Sequence, residues 1–81
     1  MNKDQRIAKL VQLITVLNSL YVGIGSSVRF NYRIDRDSVF VYGLSDDLAH
    51  LYLLLHNGAA STCVYLQHGD NGMELEIMVL K

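Results

Sequence analysis

Residues 62–80, TCVYLQHGDNGMELEIMVL, decide how this chain folds. Thr62, Val64 and Leu66 alternate with Cys63, Tyr65 and Gln67; Gly69-Asp70-Asn71-Gly72 supplies an Asn-Gly turn; Met73, Leu75, Ile77 and Val79 return. Strict alternation on both sides of a glycine-bounded turn predicts a β-hairpin with one face buried and one wet. A loop of two or of four residues keeps the same parity. Cys63, Tyr65 and Gln67 therefore share the outer face with Glu74, Glu76, Met78 and Leu80.

Working toward the N-terminus, the same period of two begins at Val28. Val28, Phe30, Tyr32 and Ile34 form an inward face, and Arg29, Asn31, Arg33 and Asp35 an outward one. A turn through Asp35-Arg36-Asp37 leads to a second strand, Ser38 to Tyr42. A two- or four-residue loop sets Val39 and Val41 beside Ile34 and Tyr32 and leaves Phe40 and Tyr42 outside, whereas a three-residue loop reverses this. The first arrangement is the expectation.

Between and before these hairpins the period is helical. Asn2 followed by Gln5 is a capping-box variant, and Ile7, Leu10, Val11, Ile14, Leu17 and Tyr21 follow the spacing of a buried helix face. Gly23 can take the left-handed conformation that ends such a helix. Ser45 suits an N-cap, Asp46 and Asp47 complement the helix dipole, and Leu44 can staple onto Ala49. This second helix runs to about Asn57 with Gly58 as its stop, and Leu48, Leu51, Tyr52 and Leu55 form its core face. The order helix, hairpin, helix, hairpin predicts an α+β domain over residues 1–81, with a four-stranded antiparallel sheet and two helices on one face.

Composition narrows the function classes. Hydrophobic residues make up 51% of 81 positions, charged residues 19%, and the net charge is −1. Such a chain folds rather than staying disordered, and it carries no field to attract nucleic-acid phosphates. Its lone cysteine, Cys63, excludes an intramolecular disulfide and agrees with a reducing, cytoplasmic setting. Lys3, Arg6 and Lys9 precede an apolar stretch from Leu10 to Ile24, in the manner of a signal peptide. Gln12, Thr15 and Asn18 interrupt that stretch at helical spacing, which favours an amphipathic helix over either a signal peptide or a membrane span.

No spacing in the chain carries a chemical motif. Gly23-Ile24-Gly25-Ser26-Ser27 follows a helix instead of opening one, so it reads as a helix stop and not as a phosphate cradle. Cys63 and His68 are an odd number of residues apart on one strand and point to opposite faces. His50 and His56, six apart on a helix, are turned about 240° from one another and cannot share a metal. Asp46 with Asp47, and Glu74 with Glu76, are explained by a helix start and a wet strand face. The expectation is no enzyme, no metal and no cofactor.

What remains is apolar surface in excess of the core. A domain of this size buries only ~60% of the surface its unfolded chain exposes. Leu13, Val16 and Leu20 widen the first helix's stripe, and Leu53 and Leu54 are left toward the sides or the outside of the second helix. These five are the expected self-association surface. The outer sheet face, through Arg29, Asn31, Arg33, Phe40, Tyr42, Tyr65 and Met78, with Leu80 beside them, is the expected partner-binding surface, since Arg, Tyr and Met are enriched at interfaces. The expected function is a small adaptor or inhibitor of a larger protein, of bacterial or phage type, acting as a homodimer. One alternative is an anionic-ligand or nucleotide-binding protein with its pocket at a subunit junction, held by Arg29, Arg33 and tyrosines; another is a single-stranded RNA-binding sheet. In element order and in its glycine-bounded final hairpin the chain resembles the small type III secretion chaperones, a family of acidic α+β homodimers. That resemblance lacks a strand and a closing helix and gives no residue a role.

Overall fold

A computed structural model describes residues 2–58, 62–70 and 72–79. Its first element, α1, spans Lys3–Gly23 and starts where the Asn2/Gln5 spacing predicts. The Gln5 N–H donates to Asn2 Oδ1 at 2.9 Å and the Asn2 N–H donates to Gln5 Oε1 at 3.1 Å, so two otherwise orphaned amides are satisfied reciprocally. Ile14 is buried against the sheet, with Ile7, Leu10, Leu17 and Tyr21 packed beside it. The helix ends later than the glycine at 23 suggests. Helical bonding continues through the Ile24 N–H to the Leu20 carbonyl, and the left-handed residue is Gly25, φ +76°. The following Ser26 N–H then reaches the Tyr21 carbonyl at 2.9 Å.

The remaining elements are β1 (Asn31–Asp35), β2 (Ser38–Tyr42), α2 (Ser45–Gly58), β3 (Thr62–Gly69) and β4 (Gly72–Val79). All strand pairs are antiparallel, in the order β1-β2-β4-β3. Arg36 and Asp37 alone separate the paired residues Asp35 and Ser38, a two-residue loop that sets Ile34 against Val39 and Tyr32 against Val41. The expected facing of β2 follows. In the second hairpin Gly69 pairs with Gly72, so the expected parity holds there as well; Asn71 of that turn lies outside the described residues. Val39, Val41, Val64, Leu75 and Ile77 line one face of the sheet, and Ile14 of α1 with Leu48 and Leu51 of α2 cover it. Both helices thus share one face, and each packs on the sheet more than on the other.

Three expectations are corrected. The first concerns β1, which begins at Asn31, not Val28, because the backbone of Phe30 is engaged elsewhere. The Asn18 side chain accepts from the Phe30 N–H at 2.8 Å and donates to the Phe30 carbonyl at 2.9 Å. This anchors the approach to β1 on α1, while the Phe30 ring packs edge-on to Tyr21 with centroids 6.2 Å apart. Gly43 permits the close passage: a Cβ there would lie 3.1 Å from the Arg29 carbonyl oxygen. Second, Tyr32 and Ile34 are not buried; they are 44% and 50% exposed, because α1 packs over β2 and β4 and leaves β1 uncovered. Third, Ser45 is the first residue of α2, not its cap. The Leu44 carbonyl accepts the first helical bond, from the Leu48 N–H at 2.9 Å, and the Leu44 side chain is 74% exposed, so it makes no staple.

Two substitutions test these anchors. Asn18→Ala leaves a part-buried N–H and C=O of Phe30 without their partner and is expected to cost about 1–3 kcal/mol in urea unfolding. Arg36 holds φ +54°, a conformation that penalises any residue with a Cβ. Arg36→Gly is expected to stabilise by up to about 1 kcal/mol, seen as a higher urea midpoint with unchanged slope.

Candidate functional site

The pairing register lays out the outer face of the sheet in cross-strand rows. Arg33, Phe40, Glu76 and Tyr65 form the middle row; Asn31, Tyr42, Glu74 and Gln67 lie to one side of it; Asp35, Ser38, Met78 and Cys63 lie to the other. Arg33 is the most constrained of these side chains. Its Nε donates to the Tyr42 hydroxyl at 3.1 Å, its Nη1 donates to Asp35 Oδ2 at 2.9 Å, and its guanidinium carbon sits 4.5 Å over the Phe40 ring centre. The hydrogen bond to Tyr42, and after it the one to Asp35, raise the guanidinium pKa further above its already high value.

The centre of the face is acidic, not basic. Glu76 accepts from the buried Ser38 hydroxyl at 2.8 Å, and Glu74 accepts from the Gln67 amide at 3.1 Å. Tyr65 lies beyond Glu76, its phenol pushed above its ordinary value, first by hydrogen bonding to Cys63 and then by the electrostatic influence of that side chain. Arg33, Phe40 and Tyr42 form one contiguous cluster with Asn31 at its side, whereas the two glutamates of β4 stand between that cluster and Tyr65. Met78 occupies the far row between Ser38 and Cys63.

Arg29 is not part of this face. It precedes β1 and turns back on its own loop, where its Nη1 donates to the carbonyls of Ser26 at 2.8 Å and Val28 at 2.6 Å. It therefore sits on the loop before β1 and not in the row of Arg33, where alternation placed it. Leu80 lies outside the described residues. A polar concavity of about 560 Å³ at one end of the face is lined by Arg33, Tyr42, His68, Gly69, Asp70 and Glu74. Its two carboxylates offset the one arginine, which makes it a poor seat for an anion.

On the helix side, the five apolar residues expected at a self-contact are all exposed. Leu13, Val16 and Leu20 lie within an arc of about 60° on α1, at 40%, 46% and 60% exposure; Leu53 and Leu54 on α2 are 56% and 54% exposed. A feature that sequence reasoning missed is an open, mainly apolar groove of about 570 Å³ between α1 and β1, walled by Ile7, Ala8, Val11, Tyr32 and Ile34, with Lys3, Asp4 and Arg36 also lining it. No local signal marks it. Whether Tyr32 and Ile34 are covered depends on which strand lies beside β1 and where α1 settles.

Chemistry-bearing side chains are dispersed. His56 stacks on Tyr52, with ring centroids 5.4 Å apart, and Cys63 is half-buried. Among the described residues no group of three or more His, Cys, Asp or Glu is gathered to hold a metal ion, and no helix is long and apolar enough to cross a membrane.

The charge layout of the outer face gives a direct check. Adding millimolar phosphate or adenosine monophosphate is expected to leave the Tm within about one degree of its value in buffer. An upward shift abolished in Arg33→Ala would establish an anion site here. No protein-family model, curated protein or solved structure matches the chain.

Proposed function

We propose that the chain is a small non-enzymatic interaction module, an adaptor or inhibitor of a larger protein of bacterial or phage type, that works as a homodimer. The observation that carries the reading is the exposure of Leu13, Val16 and Leu20 on one flank of α1, with Leu53 and Leu54 also exposed on α2. Isolated exposed leucines need no explanation, but three apolar residues aligned at helical spacing on the solvent side of one helix form a stripe of the kind that marks association. Each square ångström of apolar surface removed from water contributes roughly 25 cal/mol. A second copy presenting the same stripe is the simplest cover, since a two-fold axis makes one patch self-complementary.

The outer sheet face then holds the client through Arg33, Phe40 and Tyr42, with Asn31 at their margin and Tyr65 and Met78 farther along. Arg33 suits that role because Tyr42, Asp35 and Phe40 already hold it in place, so little side-chain freedom is lost on contact. The anionic-ligand and RNA readings have less behind them. Both need positive charge on this face, and Glu74, Glu76 and Asp35 outnumber Arg33 there.

Sedimentation equilibrium at tens of micromolar is expected to give a dimer for the native chain. Leu13→Asp is expected to give a monomer of unchanged far-ultraviolet circular dichroism, because Leu13 sits on the helix surface. A native chain that sediments as a monomer would overturn the proposal.

A further inference from the structure

The open backbone groups of β1 follow from one bond elsewhere in the sheet. The Val79 N–H donates to the Asp37 carbonyl at 2.7 Å, so Asp37 turns its carbonyl toward β4. Backbone direction alternates along an antiparallel strand. Val39 and Val41 therefore also turn toward β4, while Ser38, Phe40 and Tyr42 turn toward β1. Their partners Asp35, Arg33 and Asn31 turn toward β2, which leaves Phe30, Tyr32 and Ile34 facing out.

The first of these three sites is filled. Asn18 seats its carboxamide on the Phe30 N–H and carbonyl, in the position a neighbouring strand's peptide group would take. No described residue occupies the next two, at Tyr32 and Ile34. Immediately below them is the apolar groove formed with Ile7, Ala8 and Val11. A strand laid along this edge would pair with both residues and place every second side chain over the groove.

Charge selects the occupant. A second copy paired antiparallel through both open residues sets Tyr32 opposite Ile34, and so Arg33 directly opposite its own counterpart, a destabilising like-charge pair. Arg33 already holds Asp35 of its own strand at 2.9 Å, and a carboxylate directly opposite it on an added strand makes a further, cross-strand pair. We propose that the β1 edge accepts an extended segment of another protein as a fifth strand, apolar at the two positions over the groove and acidic at the position between them. This surface is separate from the helix flanks, so the proposal stands or falls independently of the dimer.

The probe is an acetylated, amidated peptide Thr-Val-Glu-Val-Thr-Lys, titrated into isotope-labelled protein and followed by NMR. The amides of Tyr32 and Ile34 are expected to shift and to gain protection from exchange. N-methylation of both valines removes two backbone donors without changing a side chain, and is expected to weaken binding by about tenfold or more. Ile34→Pro is expected to fold yet lose the peptide, because that N–H points away from the sheet, whereas Arg33→Pro breaks the β1–β2 ladder. The proposal is overturned if the N-methylated peptide binds equally well, or if the parent peptide does not bind at millimolar concentration. It is also overturned if Tyr32 and Ile34 are protected in the protein alone in a concentration-dependent way, which would put a second copy on this edge.

Discussion

The antiparallel seam between β2 and β4 makes one core out of two hairpins. Val39 meets Ile77 and Val41 meets Leu75 across it, and all four are essentially removed from solvent. Each hairpin alone would present an apolar face with nothing to bury it, and isolated hairpins are marginal in water at best. Joined at this seam they form a single twisted surface, on which Ile14 of α1 and Leu48 and Leu51 of α2 complete the packing. The Val79 N–H to Asp37 carbonyl bond continues the seam past the end of β2.

That seam also decides what is left exposed. With β4 placed inside the sheet, β1 and β3 become its edges, and the helix packed over the centre leaves β1 bare. The two strands of the first hairpin are therefore treated differently despite similar alternation. Val39 and Val41 are fully buried, whereas their cross-strand neighbours Ile34 and Tyr32 are half exposed. One helix residue, Asn18, covers the edge at Phe30, and the covering stops there.

The outer face owes its character to cross-strand neighbours that no single segment contains. Arg33 is fixed by a residue of its own strand, Asp35, and by two from the next, Phe40 and Tyr42. The glutamates of β4 lie beside that cluster because of the seam, and they turn a face that looks basic along β1 into a mixed one. Burial of Ser38 under Glu76 belongs to the same contact.

What the residues determined by themselves was local. Asn2 and Gln5 define the start of α1 through bonds spanning three residues, and the alternation on either side of Arg36-Asp37 and of the Gly69–Gly72 turn sets which side chains face the helices, because parity survives any even loop. The five surplus apolar residues of the helices were legible for the same reason: helical phase places them off the core face whatever the helix packs against. Sheet order, the shortening of β1 by Asn18, the exposure of Tyr32 and Ile34, and the diversion of Arg29 were decided only in the tertiary structure. Strand order, the Asn18 anchor and the coverage of β1 rest on contacts between segments distant in the chain, and Arg29 lies outside its strand because β1 begins three residues later than alternation implies. Periodicity states that a face is apolar; only the packed neighbours decide whether it is covered.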